Sequence, residues 1–348
     1  MTTLIYHWQI YLACILIALV ISLVCTPLMR FVATHLKVLD TPSSEIKTHK
    51  HATPSWGGVA VFAAFASSLL IIRFWTHFPT GTLNSLRAIL LGGTIVLILG
   101  IIDDLKKPNG LTIRSKFLFQ TLAALLLIYY DIRIQFVQPV YLAYFLTALW
   151  VVGLTNALNI IDIMDGLCAS QAIVCGLAFL IIAIPSELIY VNFAAAALVG
   201  AALGFLPYNI GPQQHKIFLG DSGSMLIGFV LAALSLGTSY SHFNDLAVFA
   251  PIFILSIPLY DTFFVMTIRL LNNKSPFMGS KDHFALRLEA LGLERRHIVF
   301  TAAAVSALLS ALAAMLPYVN LVWSVWIYII IGGEFLLFSL ALAKIKMH

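Results

Sequence analysis

Charge is scarce in this chain. Of 348 residues only 10% are Asp, Glu, Lys or Arg, against about 25% in soluble domains. That scarcity, with 61% hydrophobic residues and a mean hydropathy of +0.97, excludes an ordinary water-soluble fold. It predicts an all-α protein that crosses a membrane many times. Cysteine is scarce too. Cys14, Cys25, Cys168 and Cys175 lie in or beside apolar segments at spacings that match no metal motif, so buried free thiols are expected. No basic residue precedes the first apolar segment, and no small-x-small site closes it before Cys25-Thr26-Pro27, so it reads as a span and not as a cleavable leader. A domain linker, a low-complexity tract and a fixed-period repeat are also missing. The whole length, 1–348, reads as one integral-membrane domain.

At roughly 20 residues per span, the apolar runs predict about ten to eleven transmembrane helices. They fall at 8–29, 56–75, 86–102, 117–130, 138–157, 167–184, 189–208, 222–239, 246–270, 298–316 and 322–343. Pro251 and Pro258 are expected to bend the ninth. The basic residues give the orientation. With the N-terminus outside and the C-terminus in the cytoplasm, every one of the 20 Lys and Arg falls on the inner side except Arg73, Arg87 and Arg133. The pI near 9.0 is therefore a topological signal and not a nucleic-acid one. The same inner loops attract anionic lipid and phosphate.

The few acids gather where apolar segments end, and this arrangement puts them on that inner side. Carboxylates at a hydrocarbon boundary are costly, and a functional role is the default reading. Asp103 and Asp104 close a long apolar run and are followed by Lys106, Lys107 and, further on, Lys116. Two close carboxylates bind Mg²⁺, or raise one another's proton affinity towards base chemistry; the lysines suit phosphate. Asn156, Asn159, Asp162 and Asp165 recur at a spacing of three, which on a helix projects four oxygen ligands from one side. Oxygen-only ligands favour Mg²⁺ over Zn²⁺. Asp221 stands between two glycines at a helix start, where it or Ser222 is also a candidate N-cap. The first inner loop holds Lys47, His49, Lys50 and His51, then Pro54 and Gly57-Gly58, a turn whose N–H groups are candidates to hold an anion. The longest inner loop carries Asp282 and His283. It also has an amphipathic stretch, with Phe284, Leu288 and Leu291 on one face and Arg287 and Glu294 on another, that reads as an interfacial helix. Five polar loops on one side describe a cytoplasm-facing Mg²⁺–phosphate site beside lipid.

These motifs resemble the polyprenyl-phosphate N-acetylhexosamine-1-phosphate transferases. The resemblance runs over about 40–297 and rests on TPSWGG at 53–58, DDLKK at 103–107, KFLFQ at 116–120, NALNIIDIMDGL at 156–167, FLGDSGS at 218–224 and PLYDT at 258–262. It implies transfer of a sugar-1-phosphate from a UDP-sugar donor to a polyprenyl phosphate, releasing UMP, at the inner membrane, with Mg²⁺ (Mn²⁺ as the alternative) and with a second copy of the chain as an admissible partner. It implies Asp221 as principal metal ligand with Asn159 as helper, and Asp103 as the group that positions or deprotonates the lipid phosphate, supported by Asp104. Asn156, Asp162, Asp165, Phe218 and Lys47 or His49 go to the donor, Lys107 and Lys116 to phosphates, and His283 to the catalytic set. Two departures stand out. Ile163 follows Asp162 where the family has Gly, and His283-Phe284-Ala285-Leu286 keeps only the first member of a His-x-His-His cluster. The SPF…DH…RL frame favours the GlcNAc branch. The runner-up is the phospho-MurNAc-pentapeptide transferase branch. A transporter is the reading from another class, disfavoured because its acids belong near the midplane and within inverted repeats.

Overall fold

The computed structural model describes residues 2–42, 51–76, 78, 80–107, 109–185, 188–238, 245–277, 279–345 and 347. It is all-α apart from one two-residue antiparallel pair. In a bilayer each backbone polar group must be satisfied within its own segment, and a helix does this for any apolar run. The chain falls into two compact units, Met1–Thr238 and Ser239–His348.

The first unit contains α1 (Thr2–His35), α2 (Gly57–Trp75), α3 (Thr80–Leu105), α4 (Ile113–Tyr129), α5 (Val140–Ile161), α6 (Leu167–Ala183), α7 (Ile189–Asn209) and α8 (Gly220–Gly237), with β1 (Leu39–Asp40) paired to β2 (Thr53–Pro54). α7 and α8 form its centre: α1, α2 and α6 pack on α7, and α2, α3 and α5 on α8. Two glycines let backbones approach at that centre. A Cβ at Gly100 of α3 would lie 2.3 Å from Ser222 Cα, and one at Gly58 of α2 would lie 2.1 Å from Gly223 N. Small residues at such crossings are how membrane helices pack closely. The consequence is local: the ends of α2 and α3 are pressed against the first turn of α8.

The second unit contains a 3₁₀ turn (Asp245–Phe249), α9 (Ala250–Ile254), α10 (Ser256–Leu271), α11 (Phe284–Ala290), α12 (Arg295–Met315), a 3₁₀ turn (Leu316–Tyr318) and α13 (Leu321–Ala343). A bend of 75° separates the Asp245–Ile254 pair of helices from α10. It falls at Leu255, between the two prolines expected to cause it, where Pro258 has no N–H to give to the preceding turn.

All eleven expected segments are helical. Among the described residues, eight helices are long and apolar enough to cross a membrane, or nine if the bent pair is one span. α4 and α6 have only 17 residues each, about 25 Å at 1.5 Å per residue, short of a ~30 Å hydrocarbon layer. The expected interfacial helix takes a different form. α11 is seven residues long, and Phe284 through Arg287 are all buried, whereas Leu291 lies past its end and is exposed. Arg287, expected on a polar face, is instead drawn inward by partners described below. Among the described residues the four cysteines form no disulfide, and three of them are buried.

Candidate active site

α3 ends on Asp103-Asp104, α8 begins beside Asp221, and α4 presents Lys116 one turn from its start. Their side chains form one network. Lys116 Nζ lies 2.5 Å from Asp103 Oδ2 and 3.0 Å from Asp221 Oδ2. Lys107 Nζ lies 2.7 Å from Asp104 Oδ1 and 3.4 Å from Asp221 Oδ1. Two ammonium groups thus serve three carboxylates, leaving the network one negative charge in excess. Asp221, Lys107 and Lys116 keep between 20% and 24% of their side-chain surface exposed, enough for a ligand to reach them.

The two adjacent acids do different jobs. Asp104 has a fully enclosed side chain. Besides Lys107, its oxygens accept the N–H groups of Asp221 at 3.1 Å and Ser222 at 3.2 Å. It therefore caps the N-terminus of α8 from another helix, satisfying two donors that the helix itself leaves open and placing a negative charge at the positive end of the dipole. With no accessible surface, Asp104 aims Asp221 and Lys107 and does not itself meet a ligand. Gly220, at φ +75°, makes room for this: a Cβ there would stand 2.6 Å from Asp104 Oδ2. Asp103 faces the other way. Its Oδ1 accepts the Leu111 N–H at 2.5 Å, presented by a loop that turns at Gly110 with φ +63°. Burial alone lowers the proton affinity of Lys107, but the charges of Asp221 and Asp104 outweigh it and hold the ammonium above the ordinary lysine range.

The expected Asn/Asp ladder is only half a ladder. α5 ends at Ile161, so Asn156 and Asn159 are helical while Asp162 is the C-cap and Asp165 lies in the turn beyond. Asn156 donates to Gln120 Oε1 at 2.7 Å and to Val152 O, which ties α5 to α4. Asn159 donates to Ser224 Oγ at 2.9 Å, so its amide oxygen is the atom suited to a cation. Ile163, the residue in place of glycine, sits in this turn with its N–H on Ile161 O. Burial, and then the negative charge of Asp221, pushes Asp162 up to about 8. Asp165 pairs with Lys216, whose ammonium lies 5.5 Å over the Phe218 ring. Asn209 Oδ1 accepts the Gly166 N–H at 2.6 Å and fixes the turn, where Gly166 has φ +81°.

Three other expectations meet a definite placement. The TPSWGG turn has its glycine N–H groups committed: Gly57 and Gly58 give theirs to Phe218 O and Leu219 O, and Phe218 gives its own to Pro54 O. The turn holds the Phe218–Asp221 segment in place, with Trp56 at φ +84°. His283 belongs to the second unit, where its Nδ1 lies 2.7 Å from Asp261 Oδ2, and Asp261 Oδ1 accepts the Phe284 N–H. Arg287 there binds Asp282 at 2.8 Å and the carbonyls of Leu342 and Ile345 at the end of α13, a cation at a helix C-terminus. Lys47 and His49 lie outside the described residues.

Gln120, Asn209 and Lys216 were not singled out as site residues from sequence. Gln120 closes the KFLFQ motif, and Asn209 is a lone amide at the end of an apolar run, so both carried a usable signal. Lys216 counted only as a topological charge.

Among the described residues no three Asp, Glu, His or Cys side chains enclose a metal ion by themselves. Mg²⁺ asks less of a protein, usually one or two carboxylates completed by water and substrate phosphates. Asp221, Asp162 and the Asn159 amide oxygen are hard oxygen donors around a network already negative by one charge, and that donor set fits Mg²⁺.

A many-helix membrane protein with shared acids and lysines at its helix ends has the marks of a membrane-embedded transferase. Residues 86–239 match the family model "Glycosyl transferase family 4", a stretch holding every member of the acid–lysine network. A probable undecaprenyl-phosphate N-acetylglucosaminyl 1-phosphate transferase of Bacillus subtilis (strain 168) is 30% identical over 325 residues, covering 91% of this chain and 87% of that protein. A decaprenyl-phosphate N-acetylglucosaminephosphotransferase of Mycobacterium tuberculosis (strain CDC 1551 / Oshkosh) is 28% identical, covering 82% and 77%. A phospho-N-acetylmuramoyl-pentapeptide-transferase of Prochlorococcus marinus subsp. pastoris is 30% identical, covering 80% and 83%. The chain belongs to glycosyl transferase family 4, the polyprenyl-phosphate N-acetylhexosamine-1-phosphate transferases.

Proposed function

We propose that this protein transfers N-acetylhexosamine-1-phosphate, with GlcNAc as the sugar, from a UDP-sugar to undecaprenyl phosphate, releasing UMP and starting a lipid-linked cell-envelope polysaccharide. The observation that carries the reading is the bridging of Asp103 and Asp221 by Lys116, which sets a carboxylate able to handle one phosphate beside a carboxylate and ammonium able to handle another. The site opens to the cytoplasm at the inner membrane, since the basic residues favour that side and the nucleotide donor is water-soluble.

In this mechanism an oxygen of the lipid phosphate attacks the β-phosphorus of the donor in line, and the bond to the bridging oxygen of UMP breaks. Asp103, fixed by the Leu111 N–H and Lys116, orients the acceptor phosphate and takes its proton. Lys107 and Lys116 exchange part of their carboxylate pairing for phosphate oxygens. Asp221, Asn159 and Asp162 hold Mg²⁺, which when bound neutralises charge on the pyrophosphate. Asp165 and Phe218, with Lys47 or His49, receive the uridine end, and Asn156 supports that wall through Gln120.

Purified protein with undecaprenyl phosphate, Mg²⁺ and a panel of UDP-sugars tests this. Lipid-linked product and UMP from UDP-GlcNAc are expected. Product from UDP-MurNAc-pentapeptide alone assigns the chain to the peptidoglycan branch, whose relatives reach similar identity over less of the chain. Solute uptake into proteoliposomes without UMP release removes the transferase reading.

A further inference from the structure

α4 keeps its orientation with little apolar contact. Four of its 17 residues are buried, Gln120, Ala123, Ala124 and Leu127, and two of those four are alanine. Leu118, Phe119, Leu122, Leu125 and Tyr129, on its other sides, are exposed. In hydrocarbon, turning an apolar helix about its axis exchanges one apolar contact for another at little cost, because lipid tails are as apolar as leucine. Packing therefore leaves the rotation of α4 weakly determined. That rotation matters, since Lys116 has to meet Asp103 on α3 and Asp221 on α8 together. A turn by one residue, about 100°, carries a Cα roughly 3.5 Å sideways and swings its side chain with it.

The polar member of that buried set is Gln120. It is 1% exposed and stands four residues beyond Lys116, on the same helical face and about 6 Å further along the axis. Its amide is met on both sides. Oε1 accepts the Asn156 Nδ2–H at 2.7 Å, while Nε2 donates to Asn156 Oδ1 at 3.4 Å and to Met225 Sδ at 3.4 Å. The reciprocal pair joins α4 to α5, and the sulfur adds α8, whose first turn carries Asp221. Rotating α4 would break these contacts and carry the amide towards hydrocarbon, where an unmet polar group is costly. The hydrogen bonds thus oppose a motion that the apolar contacts of α4 tolerate.

We propose that Gln120 is a positioning residue: its amide pair with Asn156 sets the rotation of α4 and so aims Lys116 between Asp103 and Asp221. Gln120 acts through Lys116. The pair fixes the helix, the helix fixes where the lysine leaves the backbone, and the ammonium then joins the two carboxylates. The inference rests on the transferase reading for what Lys116 does to phosphate, and on geometry alone for how Lys116 is aimed. What the site needs is then an amide pair of the right summed length across α4 and α5, not a glutamine at 120 as such.

Two measurements on the full chain test it. In the first, UMP release is followed over a range of UDP-GlcNAc. Gln120→Leu is expected to lower kcat by about 10²-fold, the scale of a 1 Å misplacement, with KM for the donor within a few-fold of normal. Gln120→Asn and Asn156→Gln should each lower kcat when alone, one pair being too short and the other too long. Together they restore the summed length and should recover about tenfold over either single variant, the non-additivity of residues in contact. In the second, the four native cysteines are replaced by alanine, and Lys116→Cys with Asp221→Cys is treated with a short bifunctional thiol reagent. Cross-linking is expected with Gln120 present, several-fold less with Gln120→Asn, and a return when Asn156→Gln is added, a recovery that general unfolding would not give. A loss in Gln120→Leu carried by KM alone, additive losses in the exchanged pair, or cross-linking that is equal in all three chains would each overturn the proposal. If the unsubstituted chain releases no UMP from any UDP-sugar, the transferase reading falls and the cross-linking alone decides how Lys116 is aimed.

Discussion

In the first unit two lysines are shared among three carboxylates, whereas in the second Asp261 and Arg287 each have partners of their own. Lys107 and Lys116 both reach Asp221 while each also holds another acid, and all three groups keep some exposure. Asp261 has one histidine and one backbone N–H, and Arg287 has Asp282 and two helix-terminal carbonyls; Asp261, His283 and Arg287 are buried, and Asp282 keeps some exposure. The difference teaches how to separate chemistry from architecture among ion pairs. Shared, partly exposed charges can change partners when a phosphate or cation arrives. Dedicated, sealed pairs are costly to break because each leaves a buried charge behind.

The comparison is broken or sharpened most strongly at Asp221. Asp221→Asn should lower UMP release by about 10³-fold or more, the scale of losing one preorganised electrostatic contact, with an unchanged unfolding midpoint. Wild-type turnover in that variant removes Asp221 from the chemistry. Arg287→Ala should act on stability instead, by about 3–5 kcal/mol for orphaning Asp282 and freeing the end of α13. A variant that unfolds at the normal temperature but turns over slowly would move Arg287 into the catalytic set. Asp103→Asn should cost roughly 10²-fold in turnover, typical of a lost general base, while calorimetric titration with UDP-sugar stays within a few-fold of normal. Asp104→Ala should cost about 0.5–2 kcal/mol of stability, the range for a lost helix cap, along with part of the activity through misplacement of Asp221 and Lys107.

The smallest effect concerns pH. Asp162 is raised to about 8 from an ordinary 3.8. In metal-free protein its contribution to stability is full below about 4 and is lost as pH rises through about 8, because the unfolded chain ionises first. The unfolding temperature in chelator should therefore fall over that window, and less so in Asp162→Asn. Mg²⁺ binding, which needs the ionised form, should tighten over the same range and level off above it. A pH-independent Mg²⁺ affinity would exclude Asp162 from the ligand set.

Much of this was legible in the residues. Apolar runs located every long helix, and Pro251 and Pro258 flagged the bend between α9 and α10. Acids at hydrocarbon edges pointed to the region of Asp103, Asp104 and Asp221. Periodicity misled at Asp162 and Asp165, because a spacing of three signals one helical face only while the helix lasts, and α5 stops at Ile161. It misled again at Arg287, where an amphipathic pattern cannot reveal that helix-terminal carbonyls from α13 will hold the charge inside.

The sequence by itself determined the environment and the secondary structure, because lipid requires each segment to satisfy its own backbone and apolar length sets what can span. Only the tertiary structure decided how two neighbouring buried aspartates divide their work, Asp103 holding the Leu111 N–H and Lys116 while Asp104 caps α8. That division depends on α8 beginning where α3 ends, brought there by glycines at Gly58 and Gly100, so that the open N–H groups of one helix meet a carboxylate from residues more than a hundred positions away.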